Sequence, residues 1–152
     1  MSVSIHDLLS KSEHEQVLET IRKSEANTSG EIRLYIEACC KGDVLDRASL
    51  IFSKLDMHKT LARNGVLFYL AVEDKKFAII GDAGINAVVK ADFWKEIKDL
   101  MASHFKKGEF FEGLNHGIRM AGDALKTSFP RLSDDTNELP DDIVFGDDTK
   151  LI

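Results

Sequence analysis

Four residues of this chain carry side chains that could do chemistry together: Glu31, Arg63, Asn64 and Asp82. Two carboxylates can hold a hard divalent cation, calcium or magnesium, through oxygen ligands. An arginine can clamp a phosphate through two parallel N–H donors, and an asparagine adds a donor and an acceptor beside it. These parts suffice for metal-assisted hydrolysis of a phosphate ester. Asp82, Arg63 and Asn64 would then stand at the reacting group, and Asp82 with Glu31 on the cation. The same residues also have a plainer reading. Arg63 pairs with Asp82 or Glu31 as a structural ion pair, and Asn64-Gly65 makes a turn.

These residues are far apart in sequence, so the elements between them must bring them together. The stretch from His58 to Ile85, HKTLARNGVLFYLAVEDKKFAIIGDAGI, reads as a β-hairpin. Val66 to Val72 and Phe77 to Ile80 are near-continuous apolar runs, the pattern of strands covered on both faces. Glu73-Asp74-Lys75-Lys76 is the polar turn, and so short a connection makes the strands antiparallel neighbours. Arg63-Asn64-Gly65 and Gly81-Asp82-Ala83-Gly84 then meet at the open end of the hairpin.

Upstream, Glu31 to Cys40 alternates Ile32, Leu34 and Ile36 with Arg33, Tyr35 and Glu37, which predicts a strand with one wetter face, near an edge. Gly42-Asp43 ends it. Asp43 is the expected N-cap of a helix whose stripe is Ala48, Ile51, Phe52 and Leu55, with Asp46 in its first turn. Strand, helix and strand in this spacing make a right-handed βαβ unit, so the strands at Glu31 and Val66 run parallel. Their N-terminal ends share one end of the sheet, which places Glu31 near Arg63, Asn64 and Asp82. Ligand sites in parallel sheets favour strand C-termini, and here only Asp82 stands at one.

The strings KTLARNGVLFYLA and FAIIGDAGI, together with Thr28-Ser29-Gly30-Glu31-Ile32 and FKKGEFFEGLNHGI, resemble the TPM domain family over roughly residues 10 to 130. That module occurs in bacterial membrane-associated proteins and in a thylakoid acid phosphatase of photosystem II repair. The resemblance implies a TPM-like three-layer α/β domain: a mixed sheet of about four strands with helices on both faces. It implies weak, metal-dependent phosphatase activity at the motif positions Glu31, Arg63, Asn64 and Asp82. The alternative function is a non-catalytic module that binds a protein partner in membrane-protein maintenance.

The remaining elements are helices. Ser12 to Glu25 carries Val17, Leu18 and Ile21 on one face, and Ser12 with Glu15 makes a capping box. A short turn is expected at Ile5 to Leu9, and another helical piece at Ile85 to Val89. Asp92 caps a helix with Phe93, Trp94, Ile97, Leu100, Met101 and Phe105 at helical spacing. Lys106-Lys107-Gly108 stops it. Glu109 to Thr127 is the last helix, where Gly113 and Gly117 make a small-residue face for close approach to a sheet. The domain therefore spans residues 1–130, and 131–152 form an acidic tail whose apolar trio Ile143, Val144 and Phe145 can dock as a short segment.

Composition narrows the function classes. The chain has 152 residues, 43% hydrophobic and 30% charged, with a net charge of −6. Seven acidic residues between Asp134 and Asp148 account for that charge, so the body is near neutral and has no electrostatic footprint for nucleic acid. The N-terminus, MSVSIHDLLSKSEHE, lacks the apolar core of a secretory signal, and no apolar run approaches membrane-spanning length. A cytoplasmic location without membrane insertion is the expectation. Cys39 and Cys40 are adjacent and read as reduced core thiols. His6, His14, His58, His104 and His116 are scattered without metal-ligand spacing, so zinc is not expected. The Glu73-Asp74 turn, with Asp43 and Asp46, lies at the opposite sheet end from the four-residue cluster and reads as turn and cap.

Overall fold

The computed structural model describes residues 8–131 and 143–146. Ile5 to Asp7 and most of the acidic tail lie outside the described residues.

The element order is α1 (Lys11–Ala26), β1 (Glu31–Glu37), α2 (Val44–Lys54), a 3-10 turn (Met57–Lys59), β2 (Gly65–Ala71), β3 (Lys76–Gly81), α3 (Ala83–Asn86), α4 (Phe93–Lys106), α5 (Phe110–Ser128) and β4 (Ile143–Phe145). One mixed sheet runs β3-β2-β1-β4. β2 and β3 are antiparallel, with Val66 opposite Gly81 and Ala71 opposite Lys76. β1 and β2 are parallel, with Glu31 opposite Gly65. The hairpin and the βαβ unit are therefore both present, with the expected pairing.

Every residue of β2 is buried. Val66, Phe68 and Leu70 join the core under α1, α4 and α5, built on Val17, Ile21, Ile97, Met101, Leu114, Ile118 and Leu125. Leu67, Tyr69 and Ala71 join the core under α2, with Ala48, Ile51, Phe52 and Met57. The strand is apolar throughout because it has no wet face. The fold is a single α/β domain with helices on both faces of a four-stranded mixed sheet.

Five details depart from the sequence reading. β1 is an interior strand, because Ile143–Phe145 adds as β4 in parallel on its outer side, Leu34 opposite Ile143. Its alternate residues face α2 rather than water, and Arg33 and Glu37 are 6% and 0% exposed. The capping box of α1 is Ser10 with Glu13, two residues before the expected pair: the Ser10 hydroxyl accepts from the Glu13 N–H at 3.0 Å and the Glu13 carboxylate from the Ser10 N–H at 2.9 Å. Leu8 and Leu9 form a bend, not a helical turn. Asp92 precedes α4 without a side-chain capping bond, and the short helix after β3 starts at Ala83, before the expected Ile85.

The glycines of α5 serve close packing, mainly onto α4. A Cβ on Gly113 would stand 2.7 Å from Phe105 Cε1, and one on Gly117 would stand 2.5 Å from Met101 Sδ and 3.2 Å from Phe68 Cε2.

Candidate functional site

The strand pairings dictate where the four residues come together. Glu31 opens β1 and is paired in register with Gly65, and its N–H points to the Asn64 carbonyl at 3.4 Å. Asp82 follows β3, and its N–H donates to the Gly65 carbonyl at 3.0 Å. The loop before β2 is closed by Thr60, whose carbonyl accepts from the Arg63 N–H at 3.2 Å and whose hydroxyl accepts from the Asn64 N–H at 3.1 Å. Arg63 sits there at φ 53°, in the left-handed region.

The side chains then divide the work. Arg63 donates to Asp82 twice, Nε to Oδ2 at 2.6 Å and Nη2 to Oδ1 at 2.7 Å. Asp82 Oδ1 also accepts from the Ala83 N–H at 2.8 Å and caps α3. The Asp82 side chain is 7% exposed and that of Arg63 is 52% exposed. Asn64 is buried. Its Nδ2 donates to Ser29 Oγ at 3.1 Å, while its Oδ1 has no hydrogen-bond partner among the described residues. Glu31 is buried at the same sheet end.

Electrostatics follow this geometry. Burial alone pushes the Asp82 carboxyl up, but the Arg63 hydrogen bonds, the Ala83 N–H and the Arg63 charge together hold it below its usual value. The hydrogen bonds to Asp82 raise Arg63 in turn. Both carboxylate oxygens of Asp82 are occupied, so a cation could use them only by displacing Arg63 or sharing an oxygen with it. Among the described residues no group of three or more His, Cys, Asp or Glu is placed to hold a metal ion.

One feature of this end of the molecule was not legible in the residue pattern. His58 lies close enough to Asp82 for its charge to favour the carboxylate, and its Nδ1 is buried without a hydrogen-bond partner among the described residues. His58 opens the hairpin stretch, and only the 3-10 turn at Met57–Lys59 carries it toward Asp82. Ser29, by contrast, is expected here, because Ser29-Gly30-Glu31 enters β1 beside Arg63-Asn64, and it joins through Asn64.

The opposite sheet end holds a buried charge cluster. Arg47 donates to Glu37 from Nε and Nη2, both at 2.8 Å, and the Tyr69 hydroxyl donates to Glu37 Oε2. Burial first, then the bond to Glu37, raises the Tyr69 hydroxyl far above its usual value. A cavity of about 240 Å³ between α1 and α5 is lined by Thr20, Lys23, Asn115 and Arg119, among others. Another, of about 390 Å³, opens beside Cys39, Asp43, Asp46 and Arg47. Both cysteines are free thiols. No helix among the described residues is long and apolar enough to cross a membrane.

Comparison with known proteins places this architecture. The chain is similar to the BA42 protein of the psychrophilic bacterium Bizionia argentinensis, solved by NMR. The two are 46% identical, with a TM-score of 0.86 over 93% of this chain and 98% of that one. The N-terminal domain of a P. gingivalis protein shares the fold at 19% identity and a TM-score of 0.66, over 80% of this chain and 79% of that one. The N-terminal domain of a Corynebacterium glutamicum protein does so at 12% identity and a TM-score of 0.63, over 83% and 78%. No curated protein matches the sequence. The sequence profile of the TPM domain matches residues 3–124, and with the sheet and helices described above the chain belongs to the TPM domain family.

Proposed function

We propose that this TPM domain recognises a phosphate ester at Arg63, and that it does so as a binding module, not an efficient hydrolase. One observation carries the reading. The Arg63 guanidinium is fixed in one pose by Asp82 through Nε and Nη2, while half of the side chain remains exposed to solvent. A guanidinium held from behind loses little freedom when an anion docks on its open edge, which is how preorganisation favours binding. Asp82 is the carboxylate best placed for general-base or ligand work here, and it is engaged in holding Arg63. The phosphate belongs to a small ester or to a protein partner.

A second reading, weak phosphate-ester hydrolysis supported by calcium or magnesium, is favoured by a different observation. Among the described residues, His58 Nδ1 and Asn64 Oδ1 are both buried without hydrogen-bond partners, so this end retains a general-base candidate and an oxygen donor.

Calorimetric titration with phenyl phosphate tests the first reading. The wild-type protein binds, and Arg63→Lys, which keeps the charge and loses the fork, weakens binding at least tenfold. Equal affinity in the two proteins contradicts it. Turnover of an aryl phosphate that needs added calcium or magnesium and disappears in His58→Asn would establish the second reading instead.

A further inference from the structure

The structure pairs two histidines that lie twelve residues apart in sequence. α4 and α5 form an antiparallel helical hairpin around Gly108, which turns at φ 77°. At Gly113 the helices come close enough that a Cβ would lie 3.2 Å from His104 Cβ. One turn further along α5, the His116 ring stands over His104, with centroids 5.3 Å apart and planes at 49°. Glu109 Oε1 lies 2.8 Å from His104 Nδ1. His104 is partly exposed and His116 exposed.

We propose that His104 and His116 form a two-histidine clamp for a borderline divalent transition-metal cation such as zinc, nickel or copper. Three features carry this. An imidazole nitrogen binds zinc at about 2.0–2.1 Å, and two such rings on a tetrahedral ion have centroids about 5 Å apart; the observed separation already matches. Metal-bound histidines usually give their other ring N–H to a carboxylate, which fixes the tautomer and the ring's direction. Glu109 is in that position, which leaves His104 Nε2 as the ligand nitrogen. No described residue hydrogen-bonds the His116 ring, so its lone pair is available.

The protein supplies two ligands and water completes the shell, in keeping with the absence of any three-residue ligand group among the described residues. Lys106 and Lys107 offset the charges of Glu109 and Glu112 around the turn, so the site depends chiefly on ligand bonding. Imidazole selects zinc, copper and nickel over calcium and magnesium. The clamp is thus separate, in place and in chemistry, from the Arg63 end.

The test follows the imidazole resonances of the full-length protein by NMR as zinc chloride is added. His104 and His116 shift together and saturate as a single site, the other three histidines do not follow that curve, and calcium leaves both rings unmoved. His116→Ala alters an exposed position, so an unchanged amide spectrum elsewhere confirms folding, and it weakens zinc binding at least tenfold. Glu109→Gln weakens it by about ten- to a hundredfold. The proposal is overturned if the two rings stay unmoved under excess zinc, if all five histidines shift alike, if zinc perturbs only amides around Cys39 and Cys40, or if His116→Ala binds as well as the wild type.

Discussion

Arg63 and Asp82 are nineteen residues apart and meet in two near-parallel hydrogen bonds of 2.6 and 2.7 Å. The pair closes the hairpin's open end, ties the loop before β2 to the start of α3, and aims the guanidinium outward. Because the Asp82 carboxyl is held below its usual value of 3.8, its charged form stabilises the fold at pH values above that number. The contribution is lost as the pH falls through 3.8 and then through the lower folded value. Asp82→Asn, which can still cap α3, should therefore lower stability at neutral pH. It should also flatten the acid limb of a plot of denaturant midpoint against pH. A variant with the wild-type acid limb would mean that the pair contributes nothing to folding.

The same junction depends on Gly84. Its N–H donates to the Arg63 carbonyl at 2.8 Å, and a Cβ there would lie 2.0 Å from the Ala62 carbonyl oxygen and 2.7 Å from that of Arg63. Both obstacles are backbone, so the loops must separate. Gly84→Ala should cost about 1–3 kcal/mol and broaden or shift the Arg63 Nε–Hε signal in an NMR spectrum. A thermal midpoint and an Arg63 signal equal to the wild type would show that the loops tolerate the change.

Two neighbours in β2 test burial on both faces. Leu67 packs under α2 and Phe68 under α1, α4 and α5, with exposures of 0% and 1%. Leu67→Ala should cost about 2–5 kcal/mol and Phe68→Ala about 3–5 kcal/mol in chemical denaturation. A small loss for either would mean that its helix layer gives way cheaply.

The strands and their pairing were legible because each rests on a local signal: unbroken apolar runs, a four-residue polar turn, and a strand–helix–strand spacing with one permitted hand. That was enough to bring Glu31, Asn64, Arg63 and Asp82 to one end of the sheet. The place of β1 was not legible. Arg33, Tyr35 and Glu37 look like a wet face until Arg47 and Tyr69, distant in sequence, satisfy Glu37 and a strand from beyond residue 142 covers the edge. His58 near Asp82 and His104 beside His116 were hidden for the same reason. Spacing along one helix or strand reveals a site within that element, whereas these contacts arise between elements.

Because β4 supplies the outer neighbour of β1, the C-terminal segment is expected to contribute to stability. Ile143 is 4% exposed, and Phe145 stacks on His14 with centroids 5.7 Å apart. Truncation after Arg131 should lower the denaturant midpoint while leaving the helical circular dichroism of α1, α4 and α5 largely in place. Ile143→Ala alone should cost about 2–5 kcal/mol. An unchanged midpoint after truncation would mean that β4 adds no net stability to the sheet.

The central claim, that Arg63 is a preorganised phosphate receptor, is tested most directly by the arginine side-chain signals of a nitrogen-15-labelled sample titrated with phenyl phosphate. A preorganised receptor gives a saturable shift of the Arg63 Nε–Hε resonance, with Asn64, Ala83 and Gly84 amides moving on the same curve. All of these shifts should be absent in Arg63→Lys. Shifts confined to Lys23 and Arg119 in the cavity between α1 and α5, or no shift at Arg63 under saturating ligand, would contradict it.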